Sequence, residues 1–174
     1  YYAHGQAFAS WPAAFRWMCR LLFADARRYQ IPLALSPEEF FAKLEEYQPI
    51  FAEVTRPQLV HWDLWAGNIF ITFAEDGPYI AGIIDFERAL WGDPLMESYL
   101  GRLRGIPHYM TGYGTDLLAA PAQRLRRIFY NIALDLIMII EDGPRQSDDK
   151  RSVLWAQERL QQDLKMLRHD DVLP

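Results

Sequence analysis

The chain has 174 residues, a hydrophobic fraction of 51% and a formal net charge of −5. That length and apolar content suit one domain, residues 1–174, with a core of its own. The charge lacks the basic footprint of a nucleic-acid binder, and no run approaches the ~20 apolar residues of a membrane span.

Taken in order, Tyr1 to Ala9 reads as a connector. Ser10 is an N-cap and Pro12 fits a first turn, so a helix is expected from there to about Gln30. Trp11, Phe15, Met18 and Leu22 recur on its buried face, widened by Trp17 and Leu21. Cys19 lies inside it as a small apolar residue. Being the lone cysteine, it forms no intrachain disulfide, and with no leader pattern in view the expected setting is reducing and cytoplasmic. Ser36-Pro37-Glu38-Glu39 is a capping box for a second helix that buries Phe40, Phe41, Leu44 and Tyr47 and ends at Pro49.

Beyond the central stretch, a short helix is expected from Pro94 to about Leu103. A glycine-rich connector carrying His108, Tyr109 and Tyr113 follows, read as a surface loop. A long helix should run from Pro121 to about Asp142, stopped by Gly143-Pro144. Its second half, Ile132 to Ile140, is apolar nearly all round and reads as a central buried helix in which Asp135 needs a partner. Arg124, Arg126 and Arg127 oppose the dipole of its first turns, so acidic partners are expected for them. A last helix, Ser147 to Arg168, buries Val153, Leu160, Leu164 and Leu167, with Lys150, Arg151, Glu158 and Arg159 read as solvated. The fold class is therefore mainly α with one small β-hairpin (α+β).

That hairpin lies in the stretch Leu59 to Glu97, around which the chain is organised. Ile69 to Phe73 is β-branched and aromatic, Asp76-Gly77-Pro78 is turn chemistry, and Tyr79 to Ile84 is apolar again. A hairpin returns its second strand to where the first began, so Asn68 and Asp85 should come back side by side. Asp63, then Asn68, then Asp85 is the layout of a phosphoryl-transfer site. Asp63 would accept the proton of a substrate hydroxyl. Asn68 and Asp85 would hold Mg²⁺ against the nucleotide phosphates, since Mg²⁺ takes hard oxygen ligands and only one or two carboxylates.

His61-x-Asp63-x-x-x-x-Asn68, Ile84-Asp85-Phe86 and Trp91-Gly92-Asp93-Pro94, in this order and spacing, resemble the aminoglycoside phosphotransferase and choline kinase group, which has a protein-kinase-like fold. The resemblance implies a C-terminal lobe, with ATP or GTP and Mg²⁺ as cofactors and a small-molecule hydroxyl as acceptor. It implies Asp63 as the base, Asn68 and Asp85 as nucleotide and metal ligands, and Asp93 as a brace of the catalytic loop. His61 reads as a structural hydrogen-bonder, Asp93 also as an N-cap, and Glu87 as a substrate or metal contact. The sequence departs from the family at Trp62, where many members have Gly, and at Glu87, where a protein kinase has Gly. The family's N-terminal lobe, with its phosphate-covering loop and lysine, has no counterpart in these residues, so the fragment alone is expected to be inactive. Two other readings stay open: a substrate-binding module or pseudo-enzyme lobe, and a metal-dependent hydrolase, which would need more ligands than these.

Overall fold

The computed structural model describes residues 2–3, 5–97, 111–112, 118–146 and 148–168. Helix α4 (Pro121–Arg145) lies at the centre. It packs against α5 (Arg151–Arg168), α1 (Trp11–Arg28) and α3 (Gln48–Ala52). Helix α2 (Pro37–Glu46) packs on α1 and α3. The apolar periodicity of α1 and the all-round apolar character of α4 meet in one aromatic cluster. Phe15 stacks on Phe51 at 5.4 Å, meets the edge of Tyr130 at 5.0 Å, and Phe129 sits edge-on to both Phe40 and Phe51. These rings are fully buried, and offset and edge contacts of this kind add to the area they remove from water.

Helix ends follow the local chemistry. The Ser36 hydroxyl accepts from the Glu39 amide and starts α2 at Pro37. Ser10 occupies the N-cap of α1, but without a side-chain bond. Two expectations need correction here. Helix α4 does not stop at Gly143-Pro144 but runs through both to Arg145, closing with Gln146 in the left-handed region. Pro144 falls in the last turn, where it withholds a donor from the Ile140 carbonyl, and the helix ends one residue later at Arg145. Gly143 lies close against the Ile31 side chain, so that a Cβ there would stand 2.9 Å from its terminal methyl. Helix α5 starts at Arg151, later than the sequence suggested.

The β structure is also richer than a single hairpin. The expected connector contains β1 (Tyr2–Ala3) and β2 (Gln6–Ala7), which join β6 (Leu90–Gly92) and β3 (Gln58–Val60) in a small antiparallel sheet ordered β2-β1-β6-β3. Two-residue strands carry too little periodicity to be read from sequence. The expected hairpin is β4 (Ile69–Ala74) with β5 (Gly77–Ile83), turning at Glu75-Asp76, one residue earlier than the turn chemistry suggested. Ile69 pairs with Ile83 and Ala74 with Gly77, with an extra residue on β5 between Ile80 and Gly82. Gly77 has φ +122°, a conformation few side chains tolerate.

Both faces of this hairpin are apolar and uncovered: Phe70, Ile71, Tyr79 and Ile80 are more than half exposed, and Phe73 is 81% exposed. After β6, a single 3-10 turn spans Pro94–Met96. Residues 98–103 of the expected helix, and His108, Tyr109 and Tyr113 of the connector, lie outside the described residues. None of the described helices is long and apolar enough to cross a membrane.

Candidate phosphotransferase site

The pairing of β3 with β6 builds the site. Val60 opposite Leu90 brings the loop that follows β3 against the 3-10 turn Phe86–Arg88 that precedes β6. His61 ties the two together. Its Nε2 donates to the Ile84 carbonyl at 2.8 Å, its Nδ1 accepts from the Asp63 amide at 3.3 Å, and its ring lies 4.5 Å from that of Phe86. The His61 amide donates to the buried Glu97 carboxylate. Two residues of this region sit in the left-handed region: Trp62 at φ +62° and Asp85 at φ +66°. An aspartate tolerates that geometry, whereas a tryptophan is strained in it. Trp62 is nonetheless buried, and among the described residues its indole Nε1 has no hydrogen-bond partner.

Asn68 ends a 3-10 turn, Ala66–Asn68, and is itself buried. Its Nδ2 donates to the Asp63 carbonyl at 2.9 Å and to Asp63 Oδ2 at 3.3 Å. Because the amide nitrogen is engaged with Asp63, its oxygen is turned to the other side. The Asn68 carbonyl accepts from the Ile84 amide at 3.0 Å, so Asn68 and Asp85 stand one residue apart across the base of the hairpin. Asp85 and Glu87 are both exposed. The chemistry of the donor set, one amide oxygen and one carboxylate, fits Mg²⁺, a hard cation that completes its shell with phosphate and water. Among the described residues no group of three His, Cys, Asp or Glu side chains could hold a metal by itself.

Asp93 lies on the core side of the same loop. Its Oδ1 accepts from the Leu95 amide, capping the 3-10 turn. Its Oδ2 accepts from Arg126 Nε at 3.0 Å and from the Tyr130 hydroxyl at 2.7 Å, and that hydroxyl accepts from Trp11 Nε1 at 2.7 Å. Burial, and then the Asp93 charge, push the Tyr130 phenol well above its ordinary value. Arg126 also donates to Glu53, and Arg127 donates to the carbonyls of Leu95 and Glu97. Arg126 thus has acidic partners, and Arg127 is held by backbone carbonyls and the Asn131 side chain.

Two residues of the site were not singled out from sequence. Arg88 forms an ion pair with Asp63 at 3.6 Å, and its Nη2 donates to both carboxylate oxygens of Glu141, at 2.9 and 2.8 Å. A cation three residues beyond Asp85, and a carboxylate at the end of an apolar helix, are the signals that could have pointed to them. Burial pushes the Cys19 thiol up, in keeping with a packing role.

The profile of the phosphotransferase enzyme family matches residues 4–106, more than half of the chain, with His61, Asp63, Asn68, Asp85, Arg88 and Asp93 inside the match and Arg126, Tyr130 and Glu141 beyond it. The chain belongs to this family. No curated protein sequence matches significantly. Among solved structures, the chain is similar to a spectinomycin phosphotransferase, APH(9)-Ia, crystallised with ADP and spectinomycin. Identity is 14% and the TM-score 0.41, over 92% of this chain and 56% of that one. The chain thus spans little more than half the length of that enzyme.

Proposed function

We propose that the protein carrying this chain transfers the γ-phosphoryl group of ATP or GTP to a hydroxyl of a small molecule. The supporting observation is the use of the Asn68 amide, whose nitrogen is engaged by Asp63 so that its oxygen is left for a cation. In this reading Asp63 orients the acceptor hydroxyl and takes its proton as the bond to phosphorus forms. Asn68 and Asp85 hold Mg²⁺, which supplies charge neutralisation at the phosphates when bound. His61 and Asp93 fix the loop, and Glu87, exposed beside Asp85, faces the acceptor or the metal shell. A second lobe, carrying the phosphate-covering loop and its lysine, completes the nucleotide site by docking on the exposed apolar hairpin, since such a patch is seldom left in water. Turnover belongs to that longer protein, not to these residues alone. The acceptor class is a hydroxyl-bearing amine, amino alcohol or sugar.

The test is steady-state kinetics of the longer protein with ATP or GTP across a panel of aminoglycosides, spectinomycin, choline, ethanolamine and homoserine. Phosphorylated product is expected, not free phosphate alone. Asp63→Asn should lower turnover about 10²–10⁴-fold with little change in nucleotide affinity. Asp85→Asn should shift the Mg²⁺ dependence to higher concentration. Near-normal turnover in Asp63→Asn refutes the base, and an unchanged Mg²⁺ profile in Asp85→Asn refutes the metal ligand.

A further inference from the structure

The Arg88 side chain is mostly buried, and its nearest carboxylates belong to Glu141 and Asp63. Its contacts with them differ in kind. Glu141 receives two short charge-assisted hydrogen bonds from one nitrogen. Asp63 is met by the other nitrogen at 3.6 Å, beyond hydrogen-bond distance yet close enough for a direct Coulombic pull. The guanidinium is therefore held back from Asp63 by Glu141. The difference matters for a base. A cation at this range orients the carboxylate while leaving the Oδ1 lone pairs open to an incoming hydroxyl. A short bond from the same cation would occupy those lone pairs. Asn68 meets the other oxygen, Oδ2, so the carboxylate is fixed on both sides without having Oδ1 capped. Glu141 is itself anchored, since it sits in the last turns of α4 and also pairs with Arg145 at 3.1 Å.

We propose that Arg88 is the positioning residue of Asp63 and that Glu141 is the tether that keeps Arg88 from quenching it. This rests on the reading of Asp63 as the base. It assigns α4, a helix with no motif residue of its own, a role in the reaction.

The expected pattern is sign epistasis. Glu141→Ala removes the tether, and Arg88 then closes on Asp63. Turnover should fall by about tenfold or more, with KM for nucleotide little changed. Arg88→Ala alone should lower turnover through lost orientation. The double variant Arg88→Ala/Glu141→Ala should be faster than Glu141→Ala, because the quenching cation is gone. Two residues that merely stabilise the fold give a double variant no faster than either single one. Turnover is read as product formed from ATP and the fastest acceptor of the panel above, with melting temperature recorded for each variant. If Arg88→Ala does not fold, Arg88→Met takes its place in both arms.

A crystal structure of Glu141→Ala gives a readout that needs no activity: the Arg88 Nη1 to Asp63 Oδ1 gap should close to about 3 Å. A gap that stays open, or a double variant as slow as Glu141→Ala, overturns the tether. Asp63→Asn run alongside separates the cases. If it retains turnover, the reading of the base has failed. If it loses turnover while Glu141→Ala keeps it, only the tether has failed.

Discussion

The seam between α4 and α5 holds two buried carboxylates, Asp135 and Asp163, with Arg159 between them. Arg159 Nε reaches Asp135 at 3.4 Å, but its Nη2 stands 4.0 Å from Asp163. Desolvation, then the charge of Asp135, push the Asp163 carboxyl up from its ordinary 3.8 to about 6, against the opposing pull of Arg159 and Arg127 and the Asn131 hydrogen bond. A carboxyl whose folded value is raised favours its protonated form in the folded state. Its contribution to stability is therefore complete below about pH 4 and is lost as pH rises through about 6. The difference between 3.8 and about 6 corresponds to roughly 3 kcal/mol at neutral pH. Asp163→Asn keeps the shape and an acceptor for Asn131 but cannot ionise. It should raise the stability of the protein at pH 7.5 by up to about 3 kcal/mol, or roughly 6–12 °C in Tm for a domain of this size. At pH 4.5 the gain should shrink to about 1 kcal/mol, on its way to zero below the unfolded value of 3.8. Thermal melts of wild type and Asp163→Asn from pH 4.5 to 8 measure this, because titrating groups not coupled to Asp163 cancel in the difference. A difference that is constant with pH, or a variant less stable than wild type at pH 7.5, refutes the reasoning.

Asp93→Ala should cost about 2–4 kcal/mol, read as a fall in Tm, because it leaves the buried Arg126 Nε and Tyr130 hydroxyl without their acceptor while Glu53 still pairs with Arg126; a loss below 1 kcal/mol would show that the brace does not hold the loop. Trp62→Gly sets two effects against each other. Glycine relieves roughly 1–2 kcal/mol of left-handed strain, but emptying a buried indole site costs about 3–5 kcal/mol, so the variant should be destabilised by about 2 kcal/mol in denaturant titration, and a gain in stability would mean that strain dominates.

How much of this was legible in the sequence depended on range. The hairpin was readable because β-branched and aromatic runs flank turn residues, and its return brings Asn68 beside Ile84 and Asp85 as the spacing implied. The Ser36 cap was readable for the same reason, being a contact three residues long. The β1 and β2 strands were not, since two residues each show no period and only β1 reaches the rest of the sheet, through β6 some 90 residues away. Arg159 was read as solvated because its helix face looked charged; its partner Asp135 is on another helix. Leu21, counted with the buried face of α1, is 40% exposed, because a face widened to two adjacent positions turns one of them outward. Arg88 and Glu141 meet across 53 residues, and no local pattern encodes such a pair.

The polar residues of α4 resolve the oddity of a helix that is apolar nearly all round yet carries buried charge. Arg127, Asn131 and Asp135 recur every four residues and so share one stripe, the one reaching Asp163 and Arg159 on α5. Arg126 and Tyr130, also four apart, form the neighbouring stripe, and both end on Asp93. Glu141 closes the helix on Arg88. A buried charge replaced by an apolar side chain of equal volume is often neutral or stabilising, so the stability of α4 does not require these groups. Arg126, Arg127 and Tyr130 are concentrated where the turn after β6 meets the core, and Glu141 where the turn carrying Arg88 does. There, directional bonds fix a position that apolar contacts, being indifferent to small slides, would leave loose.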